Sequence, residues 1–169
     1  MALGLFAVTF GIILGVWHDV HRMLRYPFGL LFAFLDYLLL FLVCVLPFSL
    51  RLLVETGEVL EVAANLYPVN ILACQLALVV MYHVFVTHNR EVLSRELVLW
   101  GKESRNVVFI VSMGILVSLF LPSDVRLFPL PSGVPRFVQR LLLWFLAWPI
   151  AIMYGAIYER VHGVKFASK

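Results

Sequence analysis

Charge is what this sequence has least of. Asp, Glu, Lys and Arg together make up 14% of the 169 residues and apolar residues 63%, against roughly 25% and 45–50% in soluble domains. A chain of this length has too little polar surface to wrap so much apolar mass, which excludes a water-soluble fold. Cysteine is almost missing: Cys44 and Cys74 both stand inside apolar runs. A disulfide framework is therefore excluded, and both read as small buried hydrophobes. No positively charged stretch precedes the first apolar run and no Ala-x-Ala site follows it, so no cleavable signal peptide is expected. An Arg- and Ser-rich transit peptide is equally absent.

Clustered basic residues are missing too. The net charge of +3 is spread over short loops, and nucleic-acid binding, which needs a basic stripe to meet phosphates, is not expected. Catalytic equipment is absent: no nucleophile beside a base, no phosphate loop, no H-x-x-x-H or C-x-x-C. Neither a catalytic residue nor a metal ligand is assigned. With one acid inside the apolar runs and no pair of broken helices at matching positions, an autonomous transporter is disfavoured as well.

What is present is long apolar sequence. Five stretches, 2–17, 26–50, 66–87, 106–121 and 141–158, read as transmembrane helices of an all-α polytopic bundle, with residues 1–169 forming one integral membrane domain. A straight span needs about 20 residues at 1.5 Å each, so the first and fourth must borrow their flanks. The loop between the third and fourth alternates Val92, Leu93, Leu97, Leu99 and Trp100 with Arg90, Glu91, Arg95, Glu96 and Lys102. That pattern predicts a short interfacial helix over 90–103. Glu55, Glu58 and Glu61 form an acidic loop, and the four prolines between Leu121 and Pro135 predict an extended connection. No tandem or inverted repeat is evident.

Five crossings put nine Lys and Arg on one side and four on the other. The positive-inside rule then places the N-terminus outside and the C-terminus inside. The expected location is the mitochondrial inner membrane or a bacterial plasma membrane.

Small residues recur at helical spacing, which lets backbones approach where lipid supplies no hydrophobic drive. Gly4, Gly11 and Gly15 line one face of the first span, the latter two as G-x-x-x-G, and Ala147, Ala151 and Gly155 repeat the device in the fifth. Asp36 is the acid deepest in a span, and Gln75, at comparable depth, is its expected structural partner. All five histidines fall near one face. A haem would take one from each of two helices, and His18 with His83 is the pair selected by depth. Arg22 and Arg25 are placed to reach lipid phosphates or a partner's acidic loop, and Trp100 to anchor at the same interface.

The stretch Gly11-x-x-x-Gly15-x-x-x-Asp19-x-x-Arg22-x-Leu24-Arg25, followed by Asp36, resembles the start of the YabQ family of bacterial spore-cortex membrane proteins. The resemblance implies a sporulation membrane protein, and it covers residues 11 to 36 only. Asp36-Tyr37 following His21 is also similar to the Asp-Tyr pair of succinate dehydrogenase membrane anchors, at a longer interval and without their Ser/Arg quinone motif.

The leading expectation is a non-catalytic subunit of a larger inner-membrane assembly, most simply an accessory or scaffold subunit of a respiratory or other energy-transducing complex. Its partners would be other membrane subunits and phospholipids, with no cofactor of its own. A haem- or quinone-binding anchor is the alternative.

Overall fold

A computed structural model describes residues 2–56, 61–120 and 136–164. They form five helices and no strand: α1 Ala2–Met23, α2 Leu30–Thr56, α3 Glu61–His88, α4 Arg95–Phe120 and α5 Arg136–His162. Three of these, α2, α3 and α4, are long and apolar enough over their described residues to cross a membrane. The surface fits that setting. Leu30 is 90% exposed, Phe41 64% and Phe120 80%, a density of large bare side chains that water would not tolerate and lipid does.

Every helix departs from its expected bounds, and at three ends the departure has a local cause. The first continues past residue 17 through the polar segment to Met23, where Tyr26 N–H bonds back to the Met23 carbonyl and Pro27 opens the connection to α2. The interfacial helix expected over 90–103 does not form as a separate element. Residues 89–92 turn instead, with the Asn89 carbonyl accepting from Val92 and Leu93. Ser94 then starts α4, its Oγ accepting from Leu97 N–H at 3.3 Å as an N-cap residue does. Nothing between Arg95 and Phe120 breaks that helix, and Leu99, Trp100 and Gly101 bury against the bundle rather than lying on lipid. At the other end of the chain Gly163 takes φ +67°, and Val164 N–H bonds to the Glu159 carbonyl at 3.1 Å. This six-to-one closure needs a left-handed residue after the last helical turn, which glycine supplies without strain. The four-proline stretch and the middle of the acidic loop lie outside the described residues; Glu55 pairs with Arg51 at 2.8 Å.

α3 is the centre of the bundle. It packs against α2 on one side and α4 on the other, α4 packs in turn on α5, and α1 lies against α2. Tyr67, Ile71, Cys74, Met81, Tyr82 and Phe85 of α3 are all essentially inaccessible. Cys74 is buried, Cys44 is exposed, and both are free.

Cross-helix bonds fix the directions. The Thr9 and Tyr67 hydroxyls meet at one end and Tyr82 meets Asp19 at the other, so α1 runs parallel to α3. Tyr26 packs its ring on Phe85 near the end of α3, while Asn70 Nδ2 reaches the Leu42 carbonyl and Ser49 Oγ further along α2; α2 is antiparallel. Ser112 meets Gln75 while Arg105 meets His83, which makes α4 antiparallel to α3. Asn106 with Tyr154 and Ser118 with Trp144 do the same for α5 against α4. The five helices therefore alternate, and α1 and α5 end at the same end of the bundle.

Candidate functional site

That shared end carries most of the polar chemistry. There α1, α3 and α5 finish and α2 and α4 begin, and Arg22, Arg25, Arg90, Arg95, Lys102, Arg105 and Arg160 all belong to it. Two strings of side chains cross it.

The first ties α1 to α3 and α4. Tyr82, fully buried, donates its hydroxyl to Asp19 Oδ2 at 2.5 Å, and Ser104 lies beside the same hydroxyl. Asp19 also faces His18 Nδ1 at 3.3 Å. One turn further along α1, the Arg22 guanidinium sits 4.2 Å over the Trp100 ring, and Trp100 in turn meets Tyr82 edge to face at 5.7 Å. A cation above an indole is held by the ring's negative face. Arg22 and Trp100, expected at lipid or a partner, are thus spent on one another inside the bundle. Arg25 is exposed.

The second string ties α3, α4 and α5. Asn106 donates Nδ2 to the Tyr154 hydroxyl at 2.6 Å, and its Oδ1 accepts from Arg105 Nε and Nη2, each at 3.2 Å. Arg105 Nη1 then faces His83 Nδ1 at 3.3 Å. Guanidinium has no acceptor to offer, so Nδ1 accepts and the imidazole proton sits on Nε2. Beyond Tyr154, Tyr158 packs near its ring and stacks on His162 at 4.1 Å. Glu103 points from α4 at α5: a Cβ added to Gly155 would lie 2.7 Å from its Oε1.

The remaining expected positions scatter. Asp36 is half-buried on α2, with no hydrogen bond or ion pair found for it among the described residues. Gln75 bonds elsewhere: its Oε1 accepts from Ser112 of α4 at 3.1 Å. α2 and α4 flank α3 on different sides, so a Gln75 side chain turned to α4 is turned from α2. His18 and His83 stand on α1 and α3, engaged with Asp19 and Arg105 respectively.

The two small-residue faces differ. Ala147 and Ala151 are buried and Gly155 packs on Glu103, so the α5 device serves the α4–α5 contact. Around Gly11 and Gly15 an added Cβ meets nothing within 4 Å among the described residues. Gly4 is helical, and its surroundings lie outside the described residues.

Sequence spacing missed Arg105, Asn106 and Tyr154. Counted singly, Arg105 is a charge just before a span that begins at residue 106, and its bonds to Asn106 and His83 cross that boundary. The change from a charged stretch ending at Arg105 to an uncharged one beginning at Asn106 was the available signal.

These features define an all-helical protein with three helices suited to crossing a membrane and a polar girdle at one end of its bundle. No protein-family model matches the chain, and neither does any curated protein or solved structure. The resemblance to the YabQ family accordingly rests on residues 11 to 36 alone.

Proposed function

We propose that this chain is a non-catalytic integral membrane subunit of a larger inner-membrane assembly, an accessory or scaffold subunit of a respiratory or other energy-transducing complex. It crosses the bilayer five times, with Met1 outside and the basic end inside. Alternating helix directions support an odd number of crossings. Length supports α1 as one of them: 22 residues reach about 33 Å, enough for a hydrocarbon core of about 30 Å.

The observation that carries the subunit reading is the open G-x-x-x-G face of α1. In lipid, small residues gain their stabilising effect by letting a second helix come close. Gly11 and Gly15 have no such neighbour among the described residues, whereas their counterparts on α5 do. A helix that keeps two glycines bare gives up roughly 1 kcal/mol of helix propensity at each relative to alanine, and a partner subunit seated there makes that loss useful. The energy-transducing placement rests on the type of chain, small, polytopic and with little mass outside its helices.

Native electrophoresis of gently solubilised source membranes tests the proposal. The chain should migrate in a complex with defined companions, and Gly11→Leu with Gly15→Leu should release it while the purified variant unfolds at a midpoint no lower than the wild type's. A wild-type chain that runs alone as a stable monomer would remove the subunit reading.

A further inference from the structure

We propose that Arg105 and His83 form a phosphate cradle at the membrane surface that holds the headgroup of an anionic phospholipid. The inference needs the helices to lie in a bilayer; it is independent of the subunit reading.

Arg105 is a half-buried cation that faces no carboxylate oxygen within 4 Å among the described residues, where His18–Asp19 and Arg51–Glu55 are the ion pairs found. Glu103, the acid nearest in sequence, points at Gly155 and lies near Glu159; it and Arg105 both stand near Tyr158, without coming within ion-pair distance of each other. The orientation of Arg105 is nonetheless fixed. Tyr154 holds Asn106, Asn106 Oδ1 holds the Nε–Nη2 edge of the guanidinium, and His83 takes a third N–H. Of the five guanidinium donors, one on Nη1 and one on Nη2 stay outside these bonds, and the Nε2–H of His83 stays outside as well. A fixed cation with several N–H donors and no carboxylate at ion-pair distance among the described residues matches the charge and acceptor geometry of a phosphate group.

Depth and surroundings select a lipid as the source. Charged residues crowd α4 from Arg95 to Arg105 and are absent from Asn106 to Phe120; α5 carries none between Leu141 and Tyr158, and α3 none between Val62 and His88. The cradle therefore stands where the apolar segments give way to charge, at headgroup level. Immediately on the apolar side, one turn from His83 and one turn from Arg105, Val80 is 43% exposed and Phe109 49%. They present bare hydrophobic surface in line with the cradle, where the acyl chain of a lipid whose phosphate sat between Arg105 and His83 would run.

The test uses the purified full chain in a nonionic detergent without phosphate, following the thermal unfolding midpoint by tryptophan fluorescence. Phosphatidylglycerol should raise the midpoint saturably and phosphatidylcholine far less. Arg105→Gln should weaken the apparent phosphatidylglycerol affinity about 10- to 100-fold, the loss expected when charge-assisted bonds are removed. His83→Leu, at an exposed position, should weaken it about tenfold and keeps the test sound should Arg105→Gln not fold. Arg90→Gln, an exposed basic residue at the same end, should leave it within about twofold if the site is local rather than a diffuse field. Unchanged affinity in His83→Leu and any folded Arg105 variant would overturn the proposal, as would an equal loss in Arg90→Gln. Inorganic phosphate stabilising as strongly as phosphatidylglycerol, in an Arg105-dependent way, would overturn the lipid as the source.

Discussion

Tyr82→Ala is expected to destabilise the bundle by about 3–5 kcal/mol, the range for removing a fully buried aromatic side chain. The ring is completely enclosed at the junction of three helices. It packs edge to face on Trp100 at 5.7 Å, Trp100 carries the Arg22 cation, and the hydroxyl is the bond that holds Asp19 of α1. Alanine leaves a cavity, and it also removes the hydrogen bond to Asp19 and leaves the Arg22–Trp100 contact on a ring that has lost its support. Tyr82→Phe separates the two contributions. It keeps the volume and removes only the hydroxyl bond. Hydrogen bonds in membrane proteins average about 0.6 kcal/mol and reach about 1.7; the Asp19 side chain is 32% exposed and can recover solvent, so a loss of about 1 kcal/mol is expected. Equilibrium unfolding in mixed micelles measures both. A Tyr82→Ala loss no larger than that of Tyr82→Phe would mean that the junction is not packed as described.

Tyr82 also shows where the sequence stops being informative. Its apolar neighbours announce a helix, and the bounds of that helix follow from composition. That its hydroxyl meets a residue 63 positions away follows from nothing local. The same holds for Asn106 with Tyr154 at a separation of 48 and Gln75 with Ser112 at 37. The existence of five helices was legible because uncharged runs of this length have one stable form in lipid, with every backbone group bonded within the segment. Their ends were less so. Polar residues such as Asp19, Arg22 and Arg105 read as loop when they are counted singly, yet inside the bundle they pair between helices and the helix runs on through them. Two ends did carry readable chemistry. Ser94 stands where an N-cap belongs, and Gly163 follows a final turn containing Arg160 and His162, as a helix stop does. The amphipathic pattern over 90–103 was real, but a pattern cannot say whether its apolar face meets lipid or α3. Leu99, Trp100 and Gly101 turn to the bundle. Asp36 and Gln75 fail as a pair for a related reason: equal depth does not imply a shared face.

Gly101 decides how closely α3 and α4 approach, and substituting it is expected to have the second large effect. A Cβ there would fall 2.6 Å from Val86 Cγ2 and 3.6 Å from the Phe85 ring. Alanine gains about 1 kcal/mol of helix propensity, but overpacking a tight site costs about 1–3 kcal/mol. Valine is stiff about χ1 in a helix, so the methyl cannot swing away without leaving its rotamer, and the helices must part. Gly101→Ala should therefore destabilise by about 1–2 kcal/mol and Gly101→Leu by more, since its branch would enter the space of Phe85. Val86→Ala supplies the control. With the methyl gone, Gly101→Ala should become neutral or stabilising, and the double-mutant cycle should report a coupling of about 1–2 kcal/mol; additive behaviour would show that the two side chains do not meet. Gly15→Ala on the purified chain gives the opposite sign. Nothing lies within 4 Å of its added Cβ, so only propensity acts, and the isolated protein should gain about 0.5–1 kcal/mol. The same variant should lose stability within an assembled complex, because the methyl then stands where a partner's backbone would come. A gain in isolation and a loss in the assembly cannot both arise from intramolecular packing, so this pair of signs separates a glycine kept for the fold from one kept for a neighbour.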